Sequence, residues 1–146
     1  MSKKEKKQRK LLSIEIMEKQ KVNPKKLFLF DGFGAILSAL LLGVVLVELE
    51  SIFGIPRKTL YFLAFLPCLF ATYDFFCYFR IETNISKFLK GIAYVNILYC
   101  LISLTLAIYH SDKLTYFGWT YISLEILIVI VLAIIELKTS ISIDSK

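Results

Sequence analysis

Four stretches of mostly apolar residues, Leu27–Val47, Leu60–Phe79, Phe88–Tyr109 and Tyr116–Ile135, are separated by short polar connections. A helix rises about 1.5 Å per residue, so about twenty residues cross the roughly 30 Å hydrocarbon core of a bilayer. Punctuation between the stretches agrees with helices. Asn23-Pro24 places an N-cap residue before a proline suited to the first helical position. Gly54-Ile55-Pro56 breaks the chain between the first two stretches, and Asp112 or Thr115 can cap the fourth. Short connections make consecutive helices antiparallel neighbours. The pattern predicts an all-α integral membrane protein, four transmembrane helices in an up-down-up-down bundle over residues 27–137. Residues 1–26 form a basic N-terminal tail and residues 138–146 a short C-terminal one.

Within each stretch, small and polar residues recur at helical spacing. The first has Asp31, Ala35, Ala39 and Gly43, with Ser38 alongside; the second has Ala64, Pro67, Ala71, Asp74 and Tyr78. The third has Ala93, Asn96, Cys100, Ser103 and Ala107, and the fourth Gly118, Glu125, Val129, Leu132 and Glu136. Spacings of three and four hold each set on one face. Small residues let backbones approach in lipid, where apolar attraction between helices is lost. These faces are the expected inner seams, and packing alone accounts for their small members.

The ionisable members need more. Glu125 lies about nine residues, or 14 Å, into its span, near the midplane. A charge there costs roughly 2.5–3.5 kcal/mol. Eleven Ile, Leu and Val residues in the same span return about 0.3–0.6 kcal/mol each, so the helix still inserts. Two readings stay open for Glu125: a protonatable functional group, or a neutral carboxyl hydrogen-bonded across helices. Asp31, Asp74 and Asn96 fall roughly 6, 7 and 12 Å from one membrane edge. They form either a small polar pocket or an interfacial ion pair with Lys90 or Arg80. Pro67 removes a backbone donor in mid-span and is expected to kink its helix.

Charge sets orientation. The net charge of +6 resides in the tail: residues 1–26 carry ten Lys and Arg against three Glu, and the remainder balances to −1. With the N-terminus inside, fifteen basic residues face the cytoplasm and only Arg57, Lys58 and Lys113 face outward. By the positive-inside rule both termini are cytoplasmic, in a plasma or inner membrane. Tyr116, Phe117, Trp119 and Tyr121 at one end of span four, and Tyr73 to Phe79 at the inner end of span two, fit interfacial aromatic belts. The tail suits anionic lipid headgroups, at roughly 1 kcal/mol per basic residue near the surface. No basic face on the folded part fits nucleic acid. The stretch Gln8–Val22 could form a surface helix, Met17 is an alternative start, and no signal-peptide core or cleavage site is evident.

No sequence motif names a reaction. Glycine loops for phosphate, nucleophile elbows and zinc-binding His pairs are all missing, so no catalytic residue, metal or cofactor is assigned. Cys68, Cys77 and Cys100 fall singly inside spans and read as small apolar residues. His110 has no second ligand residue beside it. Asn84-Ile85-Ser86 matches a glycosylation acceptor, silent on the cytoplasmic side. In architecture the chain resembles small multidrug-efflux transporters, four helices with one membrane-embedded Glu. There the Glu stands in the first helix; here Glu125 is in the fourth, and the Lys/Arg bias is far stronger than in members that insert both ways. Membership is therefore not inferred. The leading expectation is a non-enzymatic membrane module or subunit that meets a homo-oligomeric or other membrane-protein partner. The alternative is a small proton-coupled transporter using Glu125.

Overall fold

The computed structural model describes residues 4–9, 11 and 23–145. Helix α1 runs Pro24–Glu48, α2 is one turn at Glu50–Phe53, and α3, α4 and α5 run Arg57–Arg80, Ile85–Tyr109 and Tyr116–Asp144. Residues 4–9 are also helical, and no strand occurs among the described residues. The four long helices are each long and apolar enough to cross a membrane, and every predicted span lies inside one of them. The chain is all-helical and has the make-up of a multi-pass membrane protein. The surface helix expected over Gln8–Val22 lies largely outside the described residues, as does Met17.

Local chemistry sets the helix ends. The Asn23 side chain accepts the Lys25 N–H at 3.1 Å, with Pro24 at the first helical position. Thr115, rather than Asp112, caps α5: its Oγ1 accepts the Gly118 N–H at 3.2 Å. Helix α5 does not stop near Ile135 but continues to Asp144. Its last turns pack on α4, where Ser86 Oγ donates to the Ser140 carbonyl at 3.0 Å. Within α1, Leu41–Val45 form a π-helical turn, the Leu46 N–H reaching back to the Leu41 carbonyl. Such a turn holds one residue more than an α-turn and so rotates the face of everything after it. Helix α3 passes through Pro67 without interruption.

The closest helix approaches are within the hairpins α1/α3 and α4/α5, and small residues permit them. A methyl added at Gly43 of α1 would meet Ala64 Cβ of α3 at 3.2 Å. Ala93, Ala107, Gly118 and Ala133 are buried along α4 and α5. Larger groups join the hairpins. Phe70 meets Tyr99 edge-on with centroids 5.9 Å apart, and Tyr73 donates to the Phe88 carbonyl at 3.2 Å. At the end opposite the N-terminus the two connections lock together. Thr115 donates its N–H to the Phe53 carbonyl (3.2 Å) and its hydroxyl to the Ile52 carbonyl (2.5 Å). Gly54 makes this turn at φ 74°, in the left-handed region, with the Lys113 carbonyl only 2.0 Å from where a Cβ would stand.

Two apolar clusters fill the interior. One holds Leu42, Leu46, Leu60, Leu63 and Ile122 toward the locked connections; the other holds Leu27, Phe28, Cys77, Leu89 and Ile92 at the opposite end. Outside, the long helices present Phe30, Phe33, Leu37, Phe65, Leu98, Leu101, Leu127 and Ile128 as exposed side chains. An apolar exterior around a partly polar interior inverts the arrangement of a water-soluble bundle. Between the two apolar clusters lies a polar layer.

Candidate functional site

Each of the four long helices places one polar side chain in that layer: Asp31 from α1, Asp74 from α3, Asn96 from α4 and Glu136 from α5. All four are buried, Asp74 and Glu136 at 0% exposure. Asn96 Nδ2 donates to Asp31 Oδ2 at 2.8 Å and reaches Glu136 Oε2 at 3.5 Å. Asp31 lies within side-chain hydrogen-bonding reach of both Asp74 and Glu136. No N–H or hydroxyl reaches either oxygen of Asp74 or Glu136 Oε1, so only a proton held between carboxyl groups can join them. Three carboxyl groups and one amide therefore share a space into which no described cation reaches.

The hairpins contribute alike. Asp31 and Asn96 stand on the first helix of each hairpin and are followed seven residues later by Ser38 and Ser103. Asp74 and Glu136 stand on the second helices, preceded three residues earlier by the buried Ala71 and Ala133. The short Asn96–Asp31 bond thus joins corresponding positions of two similar hairpins, and the flanking alanines give both acids room.

The predicted ion pair with the shallow acids is corrected. Lys90 Nζ bonds Asp144 Oδ2 at 2.5 Å on the surface, and Arg80 is exposed and pairs with no acid among the described residues. Lys90 is turned toward the end of α5, which the extension of that helix brings beside it. Asp31 and Asp74 instead lie under the Leu27, Phe28 and Leu89 cluster, out of a surface lysine's reach.

Glu125 does not join the layer. It lies further along α5, 7% exposed, where Tyr99 of α4 donates to its Oε1 at 3.0 Å. Ser38 of α1, Tyr121 of α5 and Cys100 of α4 come up against the same carboxyl. Its Oε2 has no partner, and neither has the buried Ser103 Oγ beside Tyr99. Between Glu125 and the layer is a cavity of about 60 Å³, lined at polar positions by Asp31, Ser38, Asn96 and Tyr99, backed by Pro67 and Phe70 and partly open between α1 and α5 at Gly34 and Ile128. An adjoining apolar groove of about 180 Å³, which shares Gly34, Ser38, Ile128 and Val129 with it, runs along α1 and α5 past Glu125.

Sequence reasoning missed Tyr99 altogether and left Glu136, at the margin of its span, among the packing residues. The signal for Glu136 was available. It follows Glu125 by eleven residues, three helical turns, which returns it to nearly the same face. Tyr99 had no comparable mark, since an aromatic residue in an apolar span reads as packing. Elsewhere His110 meets Thr59 Oγ1 at 3.0 Å, Cys77 and Cys100 are buried and Cys68 is exposed. Among the described residues no three acidic, His or Cys side chains have the geometry to hold a metal ion. No protein-family model, curated protein or solved structure matches this chain.

Proposed function

We propose that this chain is a small non-enzymatic multi-pass membrane protein that binds and releases protons at the buried carboxyl layer, in the manner of a proton-coupled transporter. The supporting observation is the convergence of Asp31, Asp74 and Glu136 with Asn96, one from each long helix, without a counter-cation. Each carboxylate left charged in a lipid-surrounded core would cost several kcal/mol. A proton taken up by a carboxyl removes that charge and supplies a donor to its neighbour. Oxygens on Asp74 and Glu136 that face carboxyl groups rather than N–H or hydroxyl donors support a layer whose hydrogen bonds depend on bound protons. In this reading the helices cross the bilayer up-down-up-down with both termini cytoplasmic. The Lys/Arg bias of fifteen to three supports that orientation. Exposed Tyr109, Tyr116 and Phe117 at one end, with Phe76 and Phe79 at the other, suit the two interfaces. The layer then lies in the cytoplasmic half, and the basic tail lies on anionic headgroups.

The test uses purified protein and a dilute pH dye. On an alkaline jump wild type releases protons that Asp74→Asn and Glu136→Gln do not. In proteoliposomes under a pH gradient, the same variants lose the protein-dependent proton flux. If wild type and both variants release alike and carry no flux, the reading is wrong. The membrane-module alternative then takes its place, for which trimming residues 1–16 abolishes function while Glu125 changes are silent.

A further inference from the structure

The geometry points to a hydrated proton relay: the cavity between the carboxyl layer and Glu125 holds water, and Tyr99 passes protons from that water to Glu125. This deepens the proton-handling reading above and rests on it. A buried site keeps water when it has room for it and two to four polar partners. The cavity of about 60 Å³ has room for a few molecules and presents Asp31, Ser38, Asn96 and Tyr99 to them. Two of these connect onward: Asn96 touches Asp31 and Glu136, and Tyr99 touches Glu125. Water in the cavity would complete the chain from one acidic site to the other.

The step at Tyr99 balances without a second reagent. Its hydroxyl proton moves along the 3.0 Å bond to Glu125 Oε1 while its oxygen accepts a proton from the cavity water. The phenol emerges unchanged, the carboxylate becomes a carboxylic acid, and one proton has moved with no change in oxidation state. Beyond Glu125 the interior is mainly the apolar cluster of Leu42, Leu46, Leu60, Leu63 and Ile122, with the Tyr121 hydroxyl the next polar group along α5. Glu125 is therefore loaded from the side of the carboxyl layer. The groups facing it are Tyr99 and Cys100 of α4, Ser38 of α1 and Tyr121 of α5, and none of them carries a positive charge.

The experiment follows hydrogen–deuterium exchange of the Glu125 carboxyl by infrared difference spectroscopy on the full chain in lipid nanodiscs, with the band assigned by its loss in Glu125→Gln. Tyr99→Phe keeps the ring against Phe70 and adds no bulk; Ala35→Leu fills the cavity. Both are expected to slow exchange by about tenfold or more, the rate cost of one lost hydrogen bond in the path. Proton release from the carboxyl layer, read with the pH dye, stays near wild type in Tyr99→Phe. Wild-type exchange rates in both variants overturn the relay, as does a Glu125 carboxyl that never exchanges in wild type. If instead the layer releases no protons while Tyr99→Phe still slows Glu125, the failure belongs to the proposed function and the relay stands.

Discussion

Two neighbouring polar residues of the buried layer are expected to respond to the same substitution with opposite signs. Asp74 is fully buried and no N–H or hydroxyl reaches either of its oxygens. An unsatisfied buried polar group costs about 1–3 kcal/mol, so at alkaline pH, where the layer has released its protons, Asp74→Leu should raise stability by about that amount. On the membrane reading the gain comes from removing unsatisfied atoms, because extra apolar burial adds little where lipid surrounds the helices. The leucine methyl groups must fit where α1 passes close at Gly32, a position with no room to spare for a side chain of its own beside Asp74 Cβ. Asn96 is buried equally well, but it donates to Asp31 at 2.8 Å and reaches Glu136 at 3.5 Å. Asn96→Leu should therefore destabilise by about 1–3 kcal/mol, since it strands two acceptors as well as losing a bond. Both are read as unfolding free energies in detergent, with Asp74→Asn as the volume-matched control. If Asp74→Leu loses more than about 1 kcal/mol while Asp74→Asn is neutral, Asp74 makes a structural hydrogen bond and the argument from orphaned oxygens is refuted.

Glu125→Gln keeps an acceptor for Tyr99 and should stay within about 0.5 kcal/mol of wild type, whereas Glu125→Leu strands the Tyr99 hydroxyl and should lose about 1 kcal/mol. Adding Tyr99→Phe to Glu125→Leu should restore that loss, which a double-mutant cycle of melting measurements checks. Gly54→Ala should cost at least about 1–2 kcal/mol, because φ is 74° and the Lys113 carbonyl occupies the space of the new methyl; thermal unfolding reads it. Lys90→Met should leave proton release unchanged in the dye assay, since Lys90 pairs with Asp144 at the surface and not with the buried acids; reduced release would place Lys90 in the site after all.

Hydropathy alone determined that there are four helices long and apolar enough to span a membrane, because length and apolar content are properties of each segment by itself. The faces carrying Asp31, Asp74, Asn96 and Glu125 were likewise readable, since helical periodicity is local. The caps at Asn23 and Thr115 belong to the same class. What a single segment cannot encode is how far each helix is rotated and shifted against its neighbours. That depends on which small-residue faces close on each other, Gly43 on Ala64 in one hairpin and the alanines of α4 and α5 in the other. This packing brought Asp31, Asn96, Asp74 and Glu136 to one depth and left Glu125 apart with Tyr99. It also carried α5 on to Asp144, giving Lys90 a surface partner in place of the expected Asp31 or Asp74. The π-turn at Leu41–Val45 has no proline or polar residue to announce it; no feature of the sequence accounts for its position. Composition and period determined the elements and their polar faces, and tertiary packing decided which of those faces meet, because contact between helices is a joint property of two segments distant in the chain.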